Sequence, residues 1–266
     1  MACHYCGYKT RPVSICPECR SLDVVSSGFG TEHIEEEVLS LFPEMVIRRL
    51  DTDSVKKKGV LQKTLSEFRS GKIDLLLGTQ MVAKGLNFPG VRLVGIVMAD
   101  TGLSLPDFRA EERTFSLIVQ VSGRAGRYSR DGEVLIQTFK PGNAAVKLAA
   151  EGNMEAFYRR ELEIREILSF PPFCRIFRIV FRGKVSEKTR KALVSFSSKL
   201  HIPEPSELLG PAECPLGIIA GNFRFHILIK AQEFDRIHSI LTGVLHGYRP
   251  PSGIHLELDI DPLSLL

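Results

Sequence analysis

Residues 74–99 read DLLLGTQMVAKGLNFPGVRLVGIVMA. Two short and nearly unbroken apolar runs, Asp74–Gly78 and Arg92–Ala99, flank a connection carrying Gly85, Asn87, Pro89 and Gly90. Apolar runs of this length without alternation suit strands buried on both faces, the habit of parallel sheets covered by helices. Outward from this pair the same rhythm continues. Upstream, a strand is expected at Leu22–Ser26, an amphipathic helix at Glu32–Phe42, a strand at Met45–Leu50 and a helix at Lys58–Arg69. Downstream come a helix at Asp107–Val121 and a strand at Gly132–Thr138. Strand and helix in regular alternation predict an α/β domain over residues 22–140, built on a doubly wound, mainly parallel sheet.

Beyond residue 140 the rhythm changes. Residues 141–173 read as a helical linker that stops at Phe170-Pro171-Pro172-Phe173, because proline cannot continue a helix. Residues 174–266 carry strands at Arg175–Lys184, Glu207–Ile219, Asn222–Lys230 and Ile254–Asp261, and helices at Ser186–Leu200 and Glu233–Leu245. The order βαββαβ predicts a smaller α+β domain of ferredoxin-like topology. Phe177, Ile179, Phe181, Phe225, Ile227 and Ile229 fall on one face by alternation. Arg178, Arg182, Lys184, Arg224, His226 and Lys230 fall on the other, which is expected to be open. Such a face is either a phosphate-binding surface or an ordinary solvated one. Inward-pointing phenylalanines disfavour reading of bases by stacking.

The chain has 266 residues, a net charge of +4 and 44% hydrophobic residues, ordinary values for a globular protein. The weak positive charge favours a nucleic-acid partner only mildly. No run of about 18 apolar residues occurs, so no membrane span is expected. The first residues lack the features of an export signal, and a cytoplasmic location is expected. Four of the six cysteines form two pairs, Cys3-x2-Cys6 and Cys16-x2-Cys19, nine residues apart. That spacing suits a tetrahedral zinc site over residues 1–21 better than disulfides. Cys174 and Cys214 are isolated and read as packing residues.

The sharpest chemical signal is Gln120-Val121-Ser122-Gly123-Arg124-Ala125-Gly126-Arg127. Two guanidinium groups three residues apart, among small residues, can stabilise charge on a transferring phosphoryl group. A helix C-terminus with basic residues set against the macrodipole is the plainer alternative. Upstream, Gly78-Thr79 directly follows a buried strand, where open α/β sheets bind ligands. An ordinary strand-to-helix turn accounts for it too.

Taken together, the two elements resemble motifs V and VI of superfamily 2 helicases. Motif V corresponds to Thr79, Lys84, Gly85 and Asn87, with Asn87 standing where an acidic residue is often found. Motif VI corresponds to Gln120, Gly123, Arg124 and Arg127. The wording around them, with CHYCG, CPEC, GFGTEHIEEEVLSLFP, FPPF and DIDPLSLL, is similar to the primosomal replication-restart (PriA) family along essentially the whole chain. The resemblance implies a second motor lobe followed by a tail domain of an ATP-dependent 3′-to-5′ DNA helicase active in replication restart and primosome assembly. It implies that Arg124 and Arg127 reach ATP held by another lobe and that Gln120 positions nucleotide or water. Thr79, Lys84, Gly85, Asn87 and Gly123 would couple nucleotide state to DNA. Gly28 and Thr31 would touch the DNA backbone, and the tail would help hold branched fork DNA; Arg178, Arg182 and Arg224, taken from the open-face reading of its sheet, are the candidates for phosphate contact there. Implied partners are forked or branched DNA with single-stranded regions and other primosome proteins. Each cysteine pair would share zinc with a further pair.

No G-x4-G-K-[ST] loop and no DExH-type box occurs in these 266 residues. ATP and magnesium are therefore expected only together with a first helicase lobe, and the chain alone is not expected to hydrolyse ATP. The competing reading is a non-catalytic zinc- and DNA-binding module with a remnant motor lobe.

Overall fold

The computed structural model describes residues 30–50, 59–79, 90–125 and 132–266, with Ile15, Arg20 and Phe88 as single positions. The expected strand at Leu22–Ser26, all four paired cysteines, Gly28, Lys84, Gly85, Asn87 and Arg127 lie outside the described residues. The chain divides into two compact units. Among the described residues, one holds those up to Ser104 together with Glu111–Phe157; the other holds Tyr158–Leu266 together with Leu105–Ala110.

The first unit opens with helix α1 (Thr31–Leu41) and strand β1 (Ile47–Leu50), followed by helix α2 (Val60–Arg69) and strand β2 (Leu75–Gly78). β1 and β2 pair in parallel, with Ile47 opposite Leu75 and Leu50 opposite Gly78. Leu61, Leu65 and Phe68 recur at i, i+4 and i+7 on α2 and pack with Leu50, Leu76 and Phe88. Phe68 and Phe88 meet edge to face with centroids 5.0 Å apart. Arg49 of β1 binds Glu32 of α1 at 3.0 Å.

Strand β3 (Leu93–Ile96), the short helix α3 (Asp100–Leu103), helix α4 (Ala110–Ser122), strand β4 (Glu133–Ile136) and helix α5 (Ala144–Ala150) follow. β3 and β4 are again parallel, Leu93 opposite Glu133. Ile96 and Ile136 pack on Phe115, Ile118, Ala145 and Val146. Asn143 starts α5 by accepting from the Ala145 and Val146 amides at 2.9 and 3.4 Å. Helix α6 (Met154–Ile167) begins in this unit, where Phe157 stacks on Phe115 at 3.9 Å.

The fold class is thus mixed α/β with parallel pairing. Burial on both faces is not what the structure has at β3 and β4. Leu93, Val97 and Leu135 are exposed, because among the described residues only the face bearing Ile96 and Ile136 is covered by helices.

The second unit takes the end of α6 and then β5 (Arg175–Gly183), α7 (Ser186–Ser197), β6 (Glu207–Ile219), β7 (Asn222–Ala231), α8 (Phe234–Gly247) and β8 (Ile254–Ile260). The sheet order is β6-β7-β5-β8, all antiparallel, the arrangement expected of βαββαβ. Phe177, Ile179 and Phe181 of β5 and Phe225, Ile227 and Ile229 of β7 point into one core, with Leu193 and Phe196 of α7 and Ile237 and Leu241 of α8. Gly183 is required by close approach: a Cβ there would lie 2.6 Å from Thr189 Oγ1 and 3.1 Å from the Gly253 carbonyl. β6 is interrupted twice, between Leu209 and Ala212 and between Glu213 and Ile218, and these gaps hold Pro211 and Pro215.

The second face of this sheet is not open as expected. Residues 261–266 run along it. Asp261 exchanges main-chain and side-chain hydrogen bonds with Ile176 and pairs with Arg175. Leu265 is buried against Cys174 and Ile176. Every residue of β5 from Ile176 to Phe181 is buried, on both faces.

Candidate functional site

The segment singled out by its two arginines sits at the exit of α4. Asp107 starts that helix, since its Oδ1 accepts the Arg109 amide and its carbonyl accepts the Ala110 amide, both at 2.9 Å. Glu111 and Glu112 in the first turn suit the positive end of the helix dipole. Phe115, Ile118 and Val119, spaced i, i+3, i+4, face the core. Gln120 is exposed on the opposite side. The helix closes through Gly123 N–H to the Val119 carbonyl at 3.0 Å and Arg124 N–H to the Val121 carbonyl at 2.9 Å. Gly123 is exposed and Arg124 half-buried. Among the described residues, a Cβ on Gly123 would meet nothing nearer than the Val119 carbonyl at 3.5 Å, so none of them demands glycine there.

Thr79 is exposed immediately after β2, at the carboxyl end of the β1–β2 parallel pair. Thr31 is the first residue of α1. Thr79 and Gln120 belong to different strand pairs of the same unit: one follows β2, the other rides on the helix packed against β3 and β4. The first unit also holds a polar contact that sequence reading missed. Asp100, at the start of α3, is buried and accepts from Thr138 Oγ1 and the Phe139 amide, both at 2.9 Å. It ties the end of β3 to the end of β4; the Ala-Asp-Thr-Gly turn after an apolar run was its only sign.

In the tail, the three arginines have different surroundings. Arg178 is buried, and its guanidinium donates to the Ser264 and Leu266 carbonyls at 2.9 Å each. Arg224 donates to the Leu216 carbonyl at 3.2 Å and to Leu266 at 3.5 Å. Arg182 is ion-paired with Glu257 and its side chain is 42% exposed. His226 lies among them, with a buried Nδ1 that has no hydrogen-bond partner among the described residues. Burial, and then the Arg178 and Arg224 charges, push its pKa down to about 4. The imidazole is therefore neutral near pH 7. Burial likewise pushes the Cys214 thiol up.

Among the described residues no cluster of three histidine, cysteine or acidic side chains could hold a metal. Among the same residues, no helix is long and apolar enough to cross a membrane.

A parallel α/β unit whose helix ends in Q-x2-G-R, followed by an antiparallel βαββαβ unit, defines a class. Residues 23–129 match the helicase conserved C-terminal domain, and residues 166–263 match the primosomal protein N C-terminal domain. Over its whole length the chain corresponds to the C-terminal part of the replication restart protein PriA family. It is 48% identical to the protein of that name from Treponema pallidum, over 100% of this chain and 41% of the relative. It is 36% identical to those from Borreliella burgdorferi and Bacillus subtilis, again over 100% of this chain and over 40% and 34% of the relatives. The chain thus spans well under half the length of these relatives.

Proposed function

We propose that this chain supplies the second motor lobe and tail of an ATP-dependent 3′-to-5′ DNA helicase of replication restart, working with an ATP-binding first lobe. The observation that carries the reading is the exit of α4. Gln120 and Gly123 are exposed there and Arg124 follows at once, in the lobe that matches a helicase C-terminal domain. In this role Arg124 and Arg127 stabilise charge on the transferring phosphoryl group. Gln120 orients nucleotide or water. Thr79 at the end of β2, with Lys84, Gly85 and Asn87, carries the nucleotide state to DNA, and Gly28 and Thr31 add backbone contacts. Forked or branched DNA with single-stranded regions is the substrate, and other primosome proteins are the partners. In the tail, phosphate contact rests on Arg182, which keeps an exposed side chain, more than on Arg178 and Arg224, whose donors are engaged within the chain. The cysteine pairs contribute ligands to zinc.

The test joins the chain to a first lobe from a relative. Arg124→Ala and Arg127→Ala each lower ATP turnover far more than ATP binding. An arginine supplied to a phosphoryl-transfer site is worth roughly 10³–10⁵ in rate, and less where lobe movement limits turnover. Hydrolysis by both variants at the parental rate would sink the assignment.

A further inference from the structure

The positive charge of the chain is concentrated on one helix of the tail. Residues 184–199 carry five cations, Lys184, Lys188, Arg190, Lys191 and Lys199, against one carboxylate, Glu187. That excess of four equals the net charge of the whole chain, +4. Lys188, Lys191 and Ser195 recur at i, i+3 and i+7 on α7, and Lys199 follows one turn later, so they form a stripe along roughly 16 Å. All four are exposed. Glu187 is already engaged by Arg190 at 3.1 Å and Lys191 at 3.6 Å. Among the described residues, Lys184, Lys188 and Lys199 pair with no carboxylate. Lys188 donates to the Ser252 carbonyl at 2.7 Å, and the Lys199 ammonium lies 5.2 Å from the Tyr248 ring.

Those two contacts set residues 248–252 beside α7. A groove of about 530 Å³ lies there, lined by Val185, Ala192 and Pro251 together with Glu187, Lys188, Lys191 and Ser195. No aromatic ring lines it, so bases would find nothing to stack on. The main-chain groups of α7 are bonded within the helix, so an extended peptide would find no strand edge to pair with. A nucleic-acid backbone needs neither. It presents a charge every few Å and is held by lysines acting as point charges. The helix packs on the core face of the sheet with Leu193 and Phe196, and Arg182 belongs to the other face.

We propose that the α7 stripe of Lys188, Lys191 and Lys199 is a docking surface for the phosphate backbone of nucleic acid, separate from Arg182. It rests on the reading of the tail as a DNA-holding domain.

Fluorescence anisotropy of the intact chain with a labelled duplex, titrated with salt and without nucleotide, tests the surface. Each phosphate contact is worth about fivefold in affinity near 0.15 M salt, so replacing Lys188, Lys191 and Lys199 together by Gln weakens binding about 100-fold. The slope of log affinity against log salt falls by about 2–3, equally for duplexes of unrelated sequence. Replacing the same three by Arg keeps the charges and the affinity. Replacing Lys63, Lys72 and Lys147 of the first unit by Gln removes as much charge and leaves binding near the parental level. Unchanged affinity and slope in the α7 glutamine variant overturn the proposal, and so does an equal loss in the first-unit variant. Intact DNA binding with lost capture of a labelled oligoglutamate overturns it in favour of an acidic peptide. A loss in Arg182→Gln with none in the α7 variant removes this surface and leaves the tail's DNA contact standing. No binding by the parental chain removes both.

Discussion

Arg178→Met separates two roles for the tail's arginines. The native guanidinium is buried in β5 and makes two hydrogen bonds, both 2.9 Å, to the carbonyls of Ser264 and Leu266. A hydrogen bond to a charged group contributes about 1.5–3 kcal/mol. Methionine preserves most of the aliphatic volume and removes the cost of burying a charge, which offsets part of the loss. The remainder is about 2 kcal/mol, or roughly a 30-fold increase in opening of the tail. Native-state hydrogen exchange reads this residue by residue, and the strap 261–266 and the adjoining β5 amides are where it falls. A DNA-contact role makes a different demand: exchange stays at the parental level, while DNA affinity drops and the slope of affinity against salt falls by about one. That second pattern would refute the argument that Arg178 is committed inside the fold.

His226 gives a pH signature. Its folded pKa of about 4 lies below the unfolded value near 6.5, so the unfolded chain takes up the proton first as pH falls. Stability is complete above about pH 6.5 and is lost as pH falls toward 4. The loss is about 1–2 kcal/mol once partial hydration of the ring is allowed for. Urea titrations at pH 7 and 5 measure it, and His226→Gln that keeps the full pH dependence contradicts it. Gly183→Ala drives a Cβ against Thr189 and the Gly253 carbonyl and costs about 1–3 kcal/mol; an unchanged denaturation midpoint contradicts that. The purified chain holds at most one zinc ion, readily stripped by chelator, with both units still folded. Two tightly held ions by metal analysis overturn the shared-site reading of Cys3, Cys6, Cys16 and Cys19.

Much of the architecture was legible because the periodicities are strong. β7 and β8 alternate and Phe177, Ile179 and Phe181 of β5 line up with them, and the antiparallel order β6-β7-β5-β8 follows from the βαββαβ order. Alternation assigns a side chain to a face, but it does not say what covers that face. Arg178 and Arg224 therefore read as solvent-facing, although Ile176, Val180 and Leu228 share their side of the sheet. Those apolar residues, together with Leu265 beyond the last strand, were the available signal for the covering strap. Likewise, the exit of α4 could be read from Gln120–Arg127, but the tail contacts of Phe108, just before that helix, could not. Phe108, Phe170 and Leu265 come together only in the folded tail.

The two interruptions of β6 have a consequence for life at high concentration. β6 is an edge strand of 13 residues, long enough to recruit another chain by main-chain pairing. Breaks at Leu209/Ala212 and Glu213/Ile218 divide it into short pieces, and Pro211 and Pro215 offer no N–H to an incoming strand. At the opposite edge, β8 carries exposed His255, Glu257 and Asp259. Both rims of the sheet thus resist adding another strand, so the tail is protected against fibrous self-association by the same irregularities that spoil its hydrogen-bond ladder.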